Sequence, residues 1–281
     1  MTEASAIKPE PFDLPCKDGL TIRGEVYHAE SPLGSVIICH GFKGFAHWAF
    51  FPYLAQTLAK DGLTAITFDF SGSGIGRDRE SFTEAEAFAG NTFSKDLEDL
   101  DLVEDYARRK KWITGKFGLF GHSRGGGIAI LFAAAEGSNV GSLVTWAAIS
   151  YPSRWSPEDM MVWRKQGYAD ITNSRTGQVM RMGTDLLDDV ELHGKTKLNI
   201  EGAAAKIKAP WLIIHGTADE TVPSSEAQRL HSLSKGVSTL RLIEGANHGF
   251  DAKHPLTEIP PALEQVVTET AKFFVRNAAA Q

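Results

Sequence analysis

The pentapeptide Gly121-His122-Ser123-Arg124-Gly125 contains the residue types from which an activated nucleophile can be built. A serine hydroxyl is a weak nucleophile alone. It needs a base to take its proton and a third group to orient that base. The apolar run Phe117–Phe120 reads as a strand entering the motif, and Gly125 to Ala135 as a small-residue helix leaving it. A serine on such a sharp strand-to-helix turn exposes its hydroxyl at the C-terminal edge of a sheet, with a helix N-terminus behind it to favour developing negative charge. The glycines flanking Ser123 are what so tight a turn requires.

The partners are expected further along the chain, in the order serine, carboxylate, histidine. Asp219 follows the strand Trp211–His215 in His-Gly-Thr-Ala-Asp, and His248 follows the strand Ser238–Ile243 in Gly-Ala-Asn-His-Gly-Phe. Both fall in loops at strand C-termini. Glu220 and Asp251 are alternative acids, and His215, His231 and His254 alternative bases. A tetrahedral oxyanion needs two N–H donors. One is the amide of Arg124, directly after the nucleophile. The other lies in the loop His40-Gly41-Phe42-Lys43-Gly44.

The elements that must carry these loops alternate. Thr21–Tyr27 has a period of 2. Ser35–Cys39, Leu63–Phe68, Val140–Ile149 and Trp211–His215 are continuous apolar runs, as strands buried on both faces require. Helices are expected at Ala49–Lys60, Ser94–Lys111 (with Ser94 as cap), Ser224–Leu233 and Pro261–Arg276. Such alternation predicts an α/β fold, a mostly parallel sheet with helices on both faces. Residues 151–209 break the rhythm and read as an insertion, a small lid between two parts of one core, 1–150 and 210–281. Within it a helix is expected at Trp155–Gln166, a hairpin at Ala169–Asn173 and Gln178–Met182 around Ser-Arg-Thr-Gly, and a short helix at Thr184–Val190. Its aromatic and methionine residues, Trp155, Trp163 and Tyr168 among them, are the expected substrate-binding wall.

The motifs His-Gly-Phe, Gly-His-Ser-Arg-Gly, His-Gly-Thr-Ala-Asp and Asn-His-Gly-Phe, in this order and strand context, resemble those of the α/β-hydrolase superfamily over nearly the whole chain. The chain is most similar to cinnamoyl and feruloyl esterase-like and serine peptidase-like members. The resemblance implies Ser123 as nucleophile, Asp219 as acid, His248 as base, and the amides of Phe42 and Arg124 as the oxyanion hole. It also implies a carboxylesterase activity. A serine peptidase or thioesterase would use the same machinery, and a ligand-binding protein with an inactive site is the alternative of another class.

Composition narrows the partners. Lys and Arg number 29 against 35 Asp and Glu, a net charge of -6. Such a surface does not attract polyanions, so nucleic acid is not expected. The acidic run Asp96 to Asp105 and the basic Arg108 to Lys111 read as a solvated helix face whose charges follow the helix dipole. Gly72-Ser-Gly-Ile-Gly76 departs from a dinucleotide-binding spacing, and no metal-ligand spacing is present. No cofactor, metal or membrane span is expected, and the partner is a small ester. Two cysteines, Cys16 and Cys39, and no visible secretory leader point to the cytoplasm. A homodimer is one expectation for the oligomeric state.

Overall fold

The computed structural model describes residues 6–173 and 177–278. Ten strands and nine helices are found among them. Eight strands form one sheet: β1 (Glu10–Pro15), β2 (Thr21–Tyr27), β3 (Gly34–Cys39), β4 (Leu63–Asp69), β5 (Phe117–His122), β6 (Val140–Trp146), β9 (Trp211–Gly216) and β10 (Ser238–Ile243). Their spatial order is β1-β2-β4-β3-β5-β6-β9-β10. The pairings β1–β2 and β2–β4 are antiparallel, and the pairings from β4 to β10 are parallel.

The period of the strand decides how the core divides. Val36 and Ile38 of β3 point to one face, against α1 (Phe50–Lys60) and α9 (Pro261–Ala278), where Leu54, Leu58, Val267 and Phe274 pack. Ile37 and Cys39 point to the other, against α3 (Phe93–Arg109) and α4 (Arg124–Ala133), with Leu100, Val103, Ile128 and Leu131. Strands β4, β5 and β9 are buried along their whole length. Apolar runs without alternation therefore mark the two-sided strands. Chains entering and leaving a parallel sheet place the loops after β3, β5, β9 and β10 at one edge, and these carry the residues expected to do chemistry.

The described residues of 151–209 contribute no strand to this sheet. They hold α5 (Pro157–Gln166), α6 (Asp185–His193), α7 (Ile200–Ala204) and a separate antiparallel pair, β7 (Tyr168–Thr172) with β8 (Val179–Gly183). The tip of the expected hairpin, at 174–176, lies outside the described residues. Trp163 fastens α5 to the hairpin: it is 2% exposed, and its Nε1 donates to the Met182 carbonyl at 3.0 Å.

Several local expectations are corrected. The cap of α3 is Thr92, which accepts from the Lys95 amide. Ser94 instead reaches the insertion, binding the Asp189 carboxylate through its amide (2.9 Å) and its hydroxyl. Thr184 makes no side-chain cap bond to α6. Strand β1 and helices α2 (Ala85–Ala89) and α7 were not foreseen. The acidic run of α3 is not simply solvated: Asp96, Asp99 and Glu104 are 3%, 2% and 9% exposed. Buried carboxylates need partners. Asp96 takes Arg124, Asp99 takes the Ser71 amide and hydroxyl, and Glu104 takes Arg108. Cys16 and Cys39 are both free. No described helix is long and apolar enough to cross a membrane.

Candidate active site

Ser123 sits between β5 and α4 with φ 56 and ψ -121. Side chains other than glycine rarely adopt a positive φ, and holding one there costs roughly 1–3 kcal/mol. The surroundings fix it. The Ser123 amide donates to the Trp146 carbonyl at 2.9 Å, and its own carbonyl accepts from the amides of Gly126 (3.0 Å), Gly127 (3.2 Å) and Ile149 (3.3 Å). The turn also needs two close backbone approaches. A Cβ on Gly125 would lie 2.2 Å from the His40 carbonyl oxygen, and one on Gly41 would lie 2.9 Å from the Ser123 Cβ. These two glycines let the turn and the loop after β3 touch.

Asp219 follows β9 and is 8% exposed. Its Oδ1 accepts from the amides of Thr221 and Val222, both at 2.9 Å. Its Oδ2 lies 2.7 Å from Nδ1 of His248 and 3.1 Å from Nε2 of His215. Burial pushes the carboxyl up, but the histidine N–H donors and the Val222 amide outweigh it and hold it well below the usual carboxylate range. Asp219 is therefore ionised at neutral pH.

His248 follows β10 in a loop shaped by Asn247, whose Oδ1 accepts from the amides of Gly249 (3.0 Å) and Asp251 (2.9 Å). Phe250 anchors the loop, fully buried with its ring 5.1 Å from that of Trp146. Two of the three rival histidines point elsewhere. His231 pairs with Ser238 at 2.7 Å, and His254 accepts from the Ala49 amide at 3.0 Å. Glu220 and Asp251 are exposed. The structure brings both His248 and His215 to Asp219, but of the two only His248 lines the cavity that Ser123 lines.

Ser123 and His248 line one cavity of about 650 Å³. The Ser123 hydroxyl makes no hydrogen bond to another described residue, so the link to His248 is open in this state. Such bonds are often long in unliganded enzymes. Phe42 and Arg124 line the same cavity, and neither of their amides donates to another described residue. Two unspent amides beside a serine suit a developing oxyanion.

The Arg124 side chain turns away from that role. It is 6% exposed, with Nη2 2.8 Å from Asp96 Oδ2 and its guanidinium carbon 4.1 Å from the Phe93 ring centroid. The Phe42 ring lies 5.7 Å from that of Phe88. Of the three expected wall residues, Trp155 lines the cavity. Trp163 and Tyr168 do not; Trp163 packs behind Trp155 at 5.0 Å, and Tyr168 stacks under Arg181 at 4.4 Å. Trp48, Phe51, Phe93 and Arg154 line the cavity unforeseen. Phe51 lies inside the helix expected at Ala49–Lys60 and Phe93 one residue before the one expected at Ser94–Lys111, while Trp48 begins an aromatic run, Trp48 to Phe51, that is a visible signal. Arg154 is held by Glu226 at 2.6 Å, which also accepts from the Ser150 amide at 2.6 Å.

Residues 34–172 match the family described as alpha/beta hydrolase fold, and residues 178–278 the dienelactone hydrolase family. Among characterised relatives, serine hydrolase BPHL of Mus musculus is 29% identical over 244 residues, 81% of this chain and 75% of that protein. Among solved structures, Est1E of Butyrivibrio proteoclasticus with bound ferulic acid superposes with a TM-score of 0.71 at 23% identity, covering 96% of this chain and all (100%) of that one. The acylaminoacyl peptidase of Pyrococcus horikoshii gives 0.69 at 17% identity, covering 97% of this chain and 42% of that one. These structural likenesses establish the architecture. The two family matches, over residues 34–172 and 178–278, place the chain in the α/β-hydrolase superfamily.

Proposed function

We propose that the protein hydrolyses carboxylic esters through an acyl-enzyme on Ser123. The observation that carries this reading is the strained Ser123 turn opening into the cavity that holds His248, whose Nδ1 is 2.7 Å from Asp219. Ser123 Oγ attacks the ester carbonyl carbon while His248 Nε2 takes its proton. The oxyanion is received by the amides of Phe42 and Arg124. Collapse breaks the bond to the alcohol oxygen, which leaves with the proton from His248. Water then repeats the sequence, its proton passing through His248, and the acid is released with Ser123 restored. Asp219 holds the imidazole tautomer and stabilises the imidazolium. No cofactor enters.

An aromatic group beside the scissile bond is favoured by the cavity walls. Phe42, Trp48, Phe51, Phe93 and Trp155 offer aromatic surface, which suits an aromatic acyl or alcohol group such as a cinnamoyl or feruloyl ester. Residues 151–209 act as the lid, closing the cavity with Arg154, Trp155, Ile171 and Asn173. The fluorophosphonate-labelling test is a comparison of wild type with Ser123→Ala. Labelling of the wild type alone supports the mechanism, and no labelling of either overturns it in favour of a ligand-binding protein. A panel of 4-nitrophenyl esters, feruloyl esters, thioesters and aminoacyl amides then sets the substrate class. Exclusive turnover of amides overturns the esterase reading.

A further inference from the structure

Asp219 has a second histidine beside it that the proposed mechanism does not use. His215 ends β9 one residue before its terminal glycine and has no exposed surface. Its Nε2 lies 2.8 Å from the Val222 carbonyl oxygen and 3.1 Å from Asp219 Oδ2. Both of these are acceptors, so Nε2 carries a proton and shares it between them. Nδ1 is then left buried without a hydrogen-bond partner. A side chain needed only to fill space would not carry a polar nitrogen into the core for nothing. The nitrogen that is paired identifies what the residue is for.

We propose that His215 is a positioning residue for the reaction: a fixed N–H that holds the Asp219 carboxylate in the orientation His248 requires. Asp219 Oδ1 is spanned by two backbone amides, which set its distance from the loop. Oδ2 is the oxygen that faces His248, and His215 supplies its other donor. Because the same Nε2 grips the Val222 carbonyl, it also ties the far end of the acid loop, where Val222 meets the cavity. Without it, rotation of the carboxylate would weaken the one contact that orients the imidazole. The ionised state of Asp219 has the same origin, since the His215 N–H is a principal donor countering its burial. The inference rests on the esterase reading above.

The test compares His215→Leu with His215→Gln, whose amide nitrogen reaches roughly where Nε2 lies. With the best 4-nitrophenyl ester of the panel, His215→Leu is expected to lower kcat by about tenfold or more while KM stays within about twofold, because only the geometry of the reacting groups changes. His215→Gln is expected to recover most of the loss. A folded His215→Leu with wild-type kcat, or a His215→Gln no better than it, overturns the proposal, since a space-filling role gives no reason for the amide to rescue. Should the leucine variant fail to fold, His215→Asn replaces it, being polar yet too short to reach Asp219; its kcat must then fall below that of His215→Gln. Turnover by wild type with unaltered variants sinks this inference alone. Absence of turnover by wild type sinks the esterase reading with it.

Discussion

His122 Nε2 donates to the backbone carbonyl of His248 at 2.9 Å, so the residue before the proposed nucleophile grips the residue proposed as its base. Burial, and next the neighbouring His248, push the His122 imidazole down to about 3. It is therefore uncharged through the working range and acts as a plain donor. Removing it leaves the half-buried His248 carbonyl without this partner, worth about 1 kcal/mol. His122→Ala is expected to lose roughly tenfold in kcat, with the fold retained by circular dichroism, and with no new ionisation in the pH profile between 5 and 9. An unchanged kcat would show that the His248 loop holds itself.

Ser123→Ala should abolish turnover of the preferred ester by at least about 10⁴-fold, because the base then has no proton to move. Its melting temperature should equal or exceed that of wild type, since alanine tolerates the turn no worse and the hydroxyl has no structural partner. A loss of stability would mean that the hydroxyl serves the fold.

Gly41→Ala and Gly125→Ala should separate function from folding. The first added Cβ meets the Ser123 Cβ at 2.9 Å and the His122 carbonyl oxygen at 3.1 Å, so the loop bearing the Phe42 amide must back away. Loss of one oxyanion donor raises the barrier by about 3 kcal/mol, so kcat should fall on the order of 10²-fold with KM little changed. The second meets the His40 carbonyl oxygen at 2.2 Å, backbone against backbone, and should give insoluble or strongly destabilised protein. Expression and melting measurements on both variants decide the matter.

Asp99 makes stability depend on pH. Burial pushes its carboxyl from 3.8 up to about 7, with Ser71 hydrogen bonds opposing and Asp96 adding. Between those two values the folded state keeps a proton that the unfolded chain has lost. Stability therefore falls as pH rises from about 4 to about 7, and levels off above. Asp99→Asn can still accept from the Ser71 amide and meet its hydroxyl. It is expected to be more stable than wild type by about 1–2 kcal/mol at pH 8, with the gap closing towards pH 4. A gap that does not change with pH, measured by thermal melting, would contradict this.

Much of this is legible in the sequence. Parallel strands betray themselves as unbroken apolar runs, and the loops after them inherit their places from the topology. Ser123, Asp219 and His248 could therefore be ordered along one edge without knowing a distance. The wall of the cavity was not legible in that way. Trp163 and Trp155 have the same composition signal, yet one packs behind the other because Trp163 joins Met180 and Met182 in the core shared with the sheet, which leaves Trp155 to face the cavity. The charges of α3 misled for a related reason. Asp96 and Asp99 look like ordinary helix-surface acids until the partners Arg124 and Ser71, distant in sequence, are brought against them.

The segment between β6 and β9 has an energetic consequence beyond the residues it supplies. These strands are neighbours in the sheet, and the chain must cross from one to the other whatever lies between. Lengthening such a connection costs only about 0.6 kcal/mol for each doubling of its length. The insertion also buries apolar side chains of its own, Met180, Met182 and Leu186 among them, which offsets that cost. Its length, and the residues it does not bury against the sheet, can thus drift across generations while the sheet that presents Ser123 stays folded, leaving ligand choice free to change on a scaffold that does not.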